Sequence, residues 1–479
     1  MKFTTYYKKK TAELGKKLGS GGEGDVYEMK NNNAVVIKLY NDHCKTNQRF
    51  KKLKRIIKKG ITYKESAEKK IAMPLDILMD DSGSFVGYVM PKVNGKPIKI
   101  SLFSKDKIEK NYPNLTRKDL VELCIHFLKQ IEYLHSKNIL IGDINPLNLL
   151  IDEKDPRICW IIDTDSFQVD EFPCPVGTDI FTPPRLQGVN FKNVLRKKED
   201  EYFSMAIMLF MILMPGKHPY SRIGGESPAL NIKSKKFPYK MSGKMEDVPL
   251  GYWRVIWSHF TKKLKQAFID VFANEKVITP KEWINILNEY IDEIDNGKTS
   301  NLIYPLSFRP STNKIVSVTC EDCGIRFEMD EWKVQRLKQE GKNCKCALCM
   351  QKIEANKLSQ KTNKKQYTQN NKGVSSSTYY SGVRAKSLFT PTINSTKKSN
   401  STKSNQNNSK TKNLSGVRIK SLFTPTINST KKSNSIKSSQ NNSKTKNLIS
   451  KVFKFFVQPI FFLTLIFGVL MFLFIRLLV

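Results

Sequence analysis

Acidic residues are absent from the last quarter of the chain. All 44 Asp and Glu residues lie at or before Glu354, whereas 22 of the 81 Lys and Arg residues follow it. Of the net charge of +37, the tail therefore carries +22 and residues 1–354 carry +15. Such a basic tail can attract anionic lipid or nucleic acid through long-range electrostatics.

The chain also has little apolar sequence at its start and in most of the tail. The N-terminal MKFTTYYKKK contains no apolar core, so we expect no signal peptide. Residues 354–450 are rich in Lys, Ser and Asn, and this composition predicts a disordered tether. It contains a near-perfect duplication with a period of 34 residues, SGVRAKSLFTPTINSTKKSN from Ser381 and its copy from Ser415. The apolar content is too low for stacked helical repeats.

The duplicated segment has two interpretations. The repeated Thr390-Pro391 and Thr424-Pro425 are compatible with a docking peptide or a phosphorylation site. A recent duplication of a spacer is the interpretation we favour, because only one small apolar cluster recurs in each copy.

Histidine is absent after His259, which excludes a mixed Cys/His metal site in the remainder of the chain. Two C-x-x-C pairs, separated by 22 residues, are instead typical of a structural Zn²⁺ held by four thiolates. The predicted ligands are Cys320, Cys323, Cys346 and Cys349, with Cys344 as a possible substitute. A stapling disulfide is disfavoured in a reducing cytosol.

The cysteine pairs define a small predicted module. We expect a zinc ribbon over residues 317–353, separated from the preceding domain by a linker over residues 299–316. Phe327, Trp332 and Leu337 are the predicted members of its core. The remaining four cysteines are scattered and are interpreted as small apolar residues.

One long apolar run interrupts the polar tail. Residues 455–475 contain no charge, and 21 residues at about 1.5 Å each span a bilayer core. Lys451 and Lys454 precede the run and Arg476 follows it. We expect a single-pass transmembrane tail anchor that leaves the N-terminal domains in the cytoplasm. A buried core helix is the alternative.

The most informative stretch is YLHSKNILIGDINPLNLLIDEKDPRICWIIDTDSF, from Tyr133 to Phe167. Two short apolar runs in it are predicted to be buried strands, and polar residues lie in the loops beside them. Asp143 and Asn148 stand five apart, and Asp163 follows the second run. One carboxylate can accept a hydroxyl proton while the other two groups hold Mg²⁺ against nucleotide phosphates. Each residue alone could instead initiate a turn.

A glycine cluster near the N-terminus suits phosphate binding. Gly19, Gly21 and Gly24 are followed by Val26 in strand-like sequence, where a dinucleotide-binding fold would require a helix. Glycines allow backbone N–H groups to approach phosphates that a Cβ would obstruct. Lys38 follows fourteen residues after Gly24, in Val-Val-Ile-Lys.

Together these segments resemble the protein-kinase family. This chain has counterparts of the family's catalytic D-x-x-x-x-N, of the Asp that begins DFG, of the glycine loop and of the lysine, which lies here in VVIK. Its stretch GTDIFTPP resembles the family segment that receives the substrate. The combination of GGEGDVYE, GYVMPKV, GDINPLN, IDTDSFQV and FTPPRLQG is similar to a bacterial group that carries DxDSFQ in place of DFG. That group often appends zinc ribbons or helix-hairpin-helix modules. No helix-hairpin-helix sequence is apparent, so nucleic-acid binding is not favoured.

The resemblance implies an α+β, bilobal kinase fold over residues 1–298, with ATP and Mg²⁺ as cofactors and Ser or Thr as the phosphoryl acceptor. It assigns Asp143 as the catalytic base, Lys38 as the phosphate-positioning residue, and Asn148 with Asp163 as the Mg²⁺ ligands. The glycine loop and Val26 would cover the nucleotide. The sequence does not specify the protein substrate.

Four departures from the family pattern bear on mechanism. The basic helix predicted over residues 44–58 contains no Glu to pair with Lys38, so Glu65 or Glu68 would have to serve. Asn145 replaces a lysine that steadies the γ-phosphate, and this loss of charge should lower the rate.

The other two departures are Gly142, in place of an arginine, and Arg185, in place of a glutamate. We favour a slow kinase. The alternatives are a nucleotide-binding pseudokinase scaffold and a membrane-tethered adaptor that acts through its zinc ribbon.

Overall fold

A computed structural model of the protein describes residues 1–30 and 32–357. Residues 354–357 of the predicted disordered tether are helical, and the rest of the tether, its duplicated segment and the predicted span over residues 455–475 lie outside the described residues. Among the helices that are described, none combines the length and apolarity needed to cross a bilayer.

The N-terminal lobe is a closed antiparallel sheet of six strands. The strands are β1 (Lys2–Thr5), β2 (Thr11–Ser20), β3 (Gly24–Met29), β4 (Asn32–Tyr40), β5 (Asp76–Met79) and β6 (Phe85–Pro91). Their order is β1-β2-β3-β4-β6-β5, and β1 closes the sheet by pairing with β5. The glycine cluster therefore lies at the β2–β3 connection, and Lys38 lies on β4, as the sequence predicts.

Two helices connect β4 and β5. Helix α1 (Asn47–Lys58) begins after Thr46, whose side chain accepts a hydrogen bond from the Arg49 N–H, and α2 (Tyr63–Lys69) begins with a reciprocal capping box between Thr62 and Glu65. The basic helix predicted at residues 44–58 is thus confirmed. Its apolar residues Leu53 and Ile56 are buried, and two of its cations, Arg49 and Lys52, bind Glu23 and the Ser166 carbonyl.

The C-terminal lobe is mostly helical. Its elements are β7 (Gly95–Pro97), α3 (Ile98–Ser101), α4 (Lys105–Asn111), α5 (Arg117–Ser136), β8 (Ile139–Leu140), β9 (Leu149–Asp152), β10 (Cys159–Ile161), β11 (Gln168–Val169), α6 (Lys198–Leu213), α7 (Pro228–Lys233), α8 (Trp253–His259), α9 (Lys262–Phe272) and α10 (Pro280–Asp295). Helix α6 is buried on all sides, as expected of a central helix with the sequence IMLFMIL.

An aromatic cluster fixes this lobe. Phe210 of α6 packs against Trp257, Phe268 and Phe272, with ring centroids 5.1–6.4 Å apart and most of the rings edge to face. Aromatic side chains of this size bury the largest apolar area per residue and favour tilted contacts. The cluster gives the catalytic loop a rigid base.

The two apolar runs of the central stretch form the predicted strands. β9 and β10 pair antiparallel, with Leu149 opposite Ile161 and Ile151 opposite Cys159. A further backbone hydrogen bond joins the Ile162 N–H to the Asn148 carbonyl at 3.0 Å. The loop that contains Asp143 and the turn that contains Asp163 therefore end at neighbouring positions.

The cysteine-containing segment forms a hairpin and a helix. The elements are β12 (Ile315–Thr319), β13 (Arg326–Asp330) and α11 (Glu331–Gln339), and residues 347–357 are helical. Phe327 is buried as predicted, but Trp332 is 45% exposed, so its assignment to the core is wrong. Val334, two positions further along α11, is buried instead because the helix turns that face toward the hairpin.

The segment predicted as a linker packs against the C-terminal lobe. The His259 ring donates to the Ser307 carbonyl at 2.9 Å, and the Arg309 N–H donates to the Ser258 hydroxyl at 2.9 Å. The Gly251 N–H donates to the Gln351 side chain of the ribbon at 2.9 Å. Residues 299–309 are thus in direct contact with α8, and the ribbon contacts the loop that precedes this helix.

Candidate active site

A cleft of about 540 Å³ lies between the glycine-containing connection and the C-terminal lobe. Its apolar lining consists of Leu18, Val26, Val36, Ala72, Met90, Pro91, Val93, Leu150 and Ile162. Its polar end is formed by Lys38, Glu23 and Asp163. A flat apolar slot with charged groups at one end suits a purine nucleotide, whose base is apolar on both faces and whose phosphates are anionic.

The glycines of the cleft have two distinct roles. At Gly24 a Cβ would lie 2.1 Å from the Leu39 carbonyl oxygen, so glycine is required for β3 to approach β4. At Gly19 a Cβ would meet no protein atom within 4 Å, and at Gly21 only the Gly24 carbonyl at 3.7 Å. The fold does not require glycine at these two positions. Their missing side chains leave room for a ligand.

Lys38 lies at the centre of a buried charge network. On the sheet, Lys38 is directly opposite Tyr88 of β6, and Tyr40 lies two residues along β4 on the same face. All three side chains converge on Asp165. The Lys38 Nζ lies 2.9 and 3.1 Å from the two Asp165 oxygens, and the hydroxyls of Tyr40 and Tyr88 donate to them at 2.6 and 2.7 Å.

These contacts determine the ionisation of the pair. Burial raises the pKa of Asp165, but Lys38 and the two tyrosine hydroxyls outweigh it and lower that pKa to about 2. Burial lowers the pKa of Lys38, whereas Asp165 and Asp163 raise it above its ordinary value. Both groups are therefore charged at neutral pH. The Lys38 Nζ also lies 3.0 Å from Asp163 and 3.9 Å from Glu23.

The structure corrects the sequence-based assignment of the Lys38 partner. Glu65, one of the two candidates, accepts from Thr62 at the start of α2 and lies 3.9 Å from Lys137. Glu68, the other candidate, lies 3.9 Å from Lys64 on the same helix. Both residues are on α2, which follows the helix that faces Lys38. Asp165, from the turn after β10, is the partner.

Helix α1 contributes cations to the site in place of the expected acid. Arg49 binds Glu23 of the glycine connection through two parallel hydrogen bonds of 2.8 and 2.7 Å, and its guanidinium lies 3.8 Å from Asp165. Lys52 donates to the carbonyls of Ser166 and Pro173 at 2.8 and 2.9 Å. Burial lowers the pKa of Lys52 to about 8. Helix α1 is thereby connected to the glycine-containing β2–β3 connection through Glu23 and to the turn after β10 through Ser166.

Asp143 is oriented by a neutral network. Its carboxylate accepts a hydrogen bond from the Thr178 hydroxyl at 3.0 Å, and the Asn145 amide donates to that same hydroxyl at 3.5 Å. Asn145 therefore contacts the same residue as Asp143 but supplies no positive charge. The carboxamide oxygen of Asn145 accepts from the Leu147 N–H at 2.9 Å and tightens the loop.

Glu201 of α6 supports the loop that contains Asp143. Its carboxylate accepts from the Gly142 N–H at 2.7 Å and lies 2.8 Å from the His135 ring nitrogen. Both Glu201 and His135 are buried. A buried carboxylate that is bonded to the backbone next to Asp143 fixes the position of that residue.

Asp163 adopts an unusual backbone conformation. Its φ and ψ angles of 60° and 36° are left-handed, a conformation that few non-glycine residues adopt and that often marks functional sites. The short 3₁₀ turn over Thr164–Ser166 follows it, and the Thr164 hydroxyl donates to the Ala72 carbonyl at 2.6 Å. Asp163 and Asn148 lie at the adjoining ends of β10 and β9 and present oxygen atoms, the type of ligand that Mg²⁺ prefers.

Gly142 is in contact with the activation segment, the stretch over residues 164–185 that follows Asp163. A Cβ there would lie 2.5 Å from the Cys174 Cβ and 3.0 Å from the Arg196 guanidinium, and its φ is +76°. Arg196 is buried, stacks on Phe191 with its guanidinium carbon 3.7 Å from the ring centre, and donates to the carbonyls of Cys174 and Val176 at 2.9 and 2.5 Å. An arginine from beyond the segment thus occupies the space beside Gly142.

Arg185 also has a partner. Its guanidinium forms an ion pair with the buried carboxylate of Asp200 near the start of α6. The connection between the end of the activation segment and the helical lobe is therefore ionic, with the cation on the segment and the anion on α6.

Four of the five ribbon cysteines form a cluster. The sulfur atoms of Cys320, Cys323, Cys346 and Cys349 lie within 4.8 Å of one another, and Cys323 and Cys346 are 3.8 Å apart. Four sulfurs around Zn²⁺ at 2.3 Å would lie about 3.8 Å from each other. Cys344 is not part of this cluster, so its suggested role as a substitute ligand is wrong.

Backbone groups also favour a thiolate at this cluster. Burial raises the pKa of Cys320, but N–H groups of Cys346, Asp322 and Cys323 lower it to about 6. The donor set and its spacing thus fit zinc.

Sequence reasoning did not find three of the residues described above. Asp165, Arg49 and Arg196 each act through a partner that is distant in the chain. The only sequence signal for Asp165 is a second acid in IDTDSF within an apolar stretch, together with the missing acid in α1. No comparable local signal marks Arg49 or Arg196.

Comparison with known proteins agrees with this geometry. The family described as protein kinase domain matches residues 12–276, more than half of the chain. A protein named protein kinase YegI from Escherichia coli strain K12 is 25% identical over 311 residues, covering 61% of this chain and 47% of that protein. Its namesake from Escherichia coli O157:H7 is 28% identical over 307 residues, with the same coverage. The chain spans about half the length of these curated relatives, and it belongs to the bacterial eukaryotic-like protein kinase family.

Proposed function

We propose that this protein is an ATP- and Mg²⁺-dependent protein kinase that phosphorylates Ser or Thr residues. The observation that carries the proposal is the position of Asp143. It is held by Thr178 in front and by the Glu201-bound backbone behind, in the lobe that faces Lys38 across the cleft. A carboxylate held in this way can orient a substrate hydroxyl and accept its proton.

The other residues supply binding and orientation. Lys38 would bind the α- and β-phosphates, and the glycine connection would cover them with its backbone N–H groups. Asn148 and Asp163 would hold Mg²⁺, which neutralises phosphate charge when bound. The empty space beside Gly19 and Gly21 and the apolar slot behind them support the assignment of a nucleotide.

Phosphotransfer is the direct test. Full-length protein would be incubated with ATP labelled at the γ-phosphate, Mg²⁺ and a generic acceptor such as myelin basic protein, and the labelled residues identified by mass spectrometry. We expect label on Ser and Thr, and none with Lys38→Met. Absence of label under conditions where ATP binds would contradict the proposal. Label on Tyr alone would contradict the acceptor class.

A pseudokinase scaffold is the second candidate, and one observation favours it. Asn145 supplies no charge beside Asp143, so less of the developing negative charge is stabilised in this half of the cleft. A scaffold would bind ATP with Mg²⁺ without turnover. The same incubation separates the candidates when ATP binding is measured in parallel by calorimetry.

We propose a structural Zn²⁺ in the ribbon, held by Cys320, Cys323, Cys346 and Cys349. A segment of this size has little apolar core, and among the described residues its buried cluster consists of Phe327 and three of these cysteines. A metal bound by four thiolates would therefore supply most of its folding free energy.

Metal analysis of the reduced protein should give about one zinc per chain. Cys346→Ser should lose it, whereas the matched control Cys344→Ser should keep it. Chelation should unfold the ribbon and leave the affinity for ATP unchanged. Loss of ATP binding on chelation would show that the ribbon is an integral part of the kinase lobe. Zinc retained in Cys346→Ser but lost in Cys344→Ser would overturn the ligand assignment.

We also propose a membrane location. The 21 uncharged residues over 455–475 are long enough for a single span, and the basic residues before them suit contact with anionic lipid. The kinase domain would then be cytoplasmic. Full-length protein should fractionate with membranes and resist alkaline carbonate, whereas a chain ending at residue 450 should not. Equal extraction of both would contradict the anchor.

A further inference from the structure

We propose that Asp165 is the residue that positions Lys38 for the nucleotide phosphates, in the role that a glutamate from helix α1 would otherwise fill. The inference rests on the proposed nucleotide-binding function. It assigns a specific role to the second carboxylate of the IDTDSF motif, which is separate from the metal-binding role proposed for Asp163.

Burial distinguishes the two carboxylates. The side chain of Asp165 is 0% exposed and that of Asp163 is 37% exposed. Asp163 lines the cleft, whereas Asp165 does not border it, and both Asp165 oxygens already accept hydrogen bonds from Lys38 and a tyrosine. When Asp163 is engaged by a metal ion, Lys38 would lose that partner and keep Asp165. The buried carboxylate thus holds the lysine while the exposed one is free to bind.

The hydrogen bonds around Asp165 fix its orientation. One oxygen accepts from Lys38 and Tyr88, and the other accepts from Tyr40 and Lys38. A buried carboxylate that is fully hydrogen-bonded in this way is rigid, and removing one partner leaves a buried charge exposed to a low dielectric. Lys38 is consequently held by a carboxylate that does not line the cleft.

The turn that carries Asp165 is itself anchored. The Thr164 hydroxyl binds the Ala72 carbonyl, and Lys52 binds the Ser166 carbonyl, so residues on both sides of Asp165 are fixed. Helix α1 supplies no acid to Lys38. Its Arg49 instead holds Glu23 of the glycine connection. A shift of α1 would therefore act directly on the glycine connection that would cover the nucleotide. It would act on Lys38 only indirectly, through the turn that carries Asp165.

A double-mutant cycle on ATP affinity tests the role. The full-length wild type, Lys38→Met, Asp165→Asn and the double variant would be titrated with Mg²⁺-ATP by calorimetry, with kcat and KM measured in parallel. We expect Asp165→Asn to lower kcat/KM by about a hundredfold, since a misplaced binding group has an effect of this size. Because Asp165 acts through Lys38, the double variant should match Lys38→Met within about twofold in ATP affinity.

Two outcomes would overturn the proposal. One is an ATP affinity of Asp165→Asn within twofold of the wild type in protein with an unchanged melting temperature. The other is a double variant whose loss equals the product of the two single losses, since that would mean an effect independent of Lys38. The affinity cycle does not require turnover. Failure of the proposed kinase activity therefore leaves this test intact.

Control variants keep the test decisive if Asp165→Asn does not fold. Tyr88→Phe and Tyr40→Phe each remove one hydrogen bond to Asp165 and keep the ring, and each should weaken ATP binding several-fold. Glu65→Gln and Glu68→Gln should leave ATP affinity unchanged. Normal affinity in both tyrosine variants, or a loss like that of Lys38→Met in either glutamate variant, would refute the assignment.

Discussion

The two walls of the cleft are built from different interactions. On the wall of the N-terminal lobe and the turn after β10, Lys38 and Arg49 form a network of ion pairs with Glu23, Asp163 and Asp165, and Lys52 binds the Ser166 carbonyl beside it. On the wall of the catalytic loop, the Asp143 carboxylate is bonded to a hydroxyl, and the loop is held by amides and backbone N–H groups.

The difference reflects what lies behind each wall. The catalytic loop rests on α6 and the aromatic cluster of Phe210, Trp257 and Phe272, so packing and uncharged hydrogen-bond donors hold it in place. The N-terminal lobe has two much smaller buried clusters, one of Phe3, Ala12, Val35, Ile37, Leu78, Val86 and Val89 and one of Tyr40, Cys44, Leu53, Ile77 and Tyr88. Its functional side chains are positioned mainly by paired charges. Paired charges therefore organise the proposed phosphate-binding residues, whereas packing and hydrogen bonds organise the proposed catalytic base.

Removing one carboxylate from each wall should give the largest effect. Asp163→Ala and Asp143→Ala should each reduce phosphotransfer by about a thousandfold or more. Asp163→Ala should also abolish Mg²⁺-dependent nucleotide binding, whereas Asp143→Ala should preserve it, because Asp143 lies on the wall that does not bind phosphate. Calorimetry with ATP, with and without Mg²⁺, measures the difference. Unchanged nucleotide affinity in Asp163→Ala would refute its assignment as a metal ligand.

A fall in pH should have the next largest effect, because it destabilises the folded C-terminal lobe. Burial lowers the pKa of His218 and His259 to about 4, against hydrogen bonds to the Ile180 and Ser307 carbonyls that raise it. The unfolded state, with a pKa of 6.5, therefore binds more protons below neutrality. The free energy of unfolding therefore decreases as the pH falls from 6.5 toward 4. Between pH 7 and pH 5 the decrease is about 2 kcal/mol per histidine.

Urea unfolding at the two pH values checks this loss. His218→Gln should reduce the pH dependence of the free energy of unfolding. The matched control His43→Gln, at an exposed site in the other lobe, should not change it. Equal pH dependence in the wild type and His218→Gln would refute the explanation.

Adding a charge to the neutral wall should have a smaller effect. Asn145→Lys places an ammonium beside Asp143, where negative charge develops during transfer, so kcat should rise by up to about tenfold. Asn145→Gln keeps the site neutral and is the control for lost turn geometry, since Asn145 also binds the Leu147 N–H. Steady-state kinetics at saturating ATP provides the measurement. An equal kcat for the two variants would show that charge is not limiting.

Removing phosphate from the activation segment should have the smallest effect. Gly142 offers no guanidinium to a phosphate on Thr164, Ser166, Thr178 or Thr182, and Arg196 already binds the segment through the Cys174 and Val176 carbonyls. Phosphatase treatment should therefore change activity by less than about twofold. A large loss of activity whose recovery follows phosphate at one of these residues would refute this expectation.

The sequence determined much of the catalytic framework because its signals are local. Asp143 and Asn148 lie in one loop and Asp163 lies in the next turn, while the glycine cluster and Lys38 lie on consecutive strands. Each of these predictions depends on neighbours within one or two turns of the chain.

Only the tertiary structure decided which charges pair. Asp165 lies 127 residues from Lys38 and Arg49 lies 26 from Glu23, and nothing in the local sequence joins either pair. The sequence of α1 shows that this helix has no glutamate to pair with Lys38. It does not indicate that the acidic partner, Asp165, comes from the turn after β10. A buried ion pair forms wherever folding brings two charges together out of water, so its partners depend on sheet register and lobe packing.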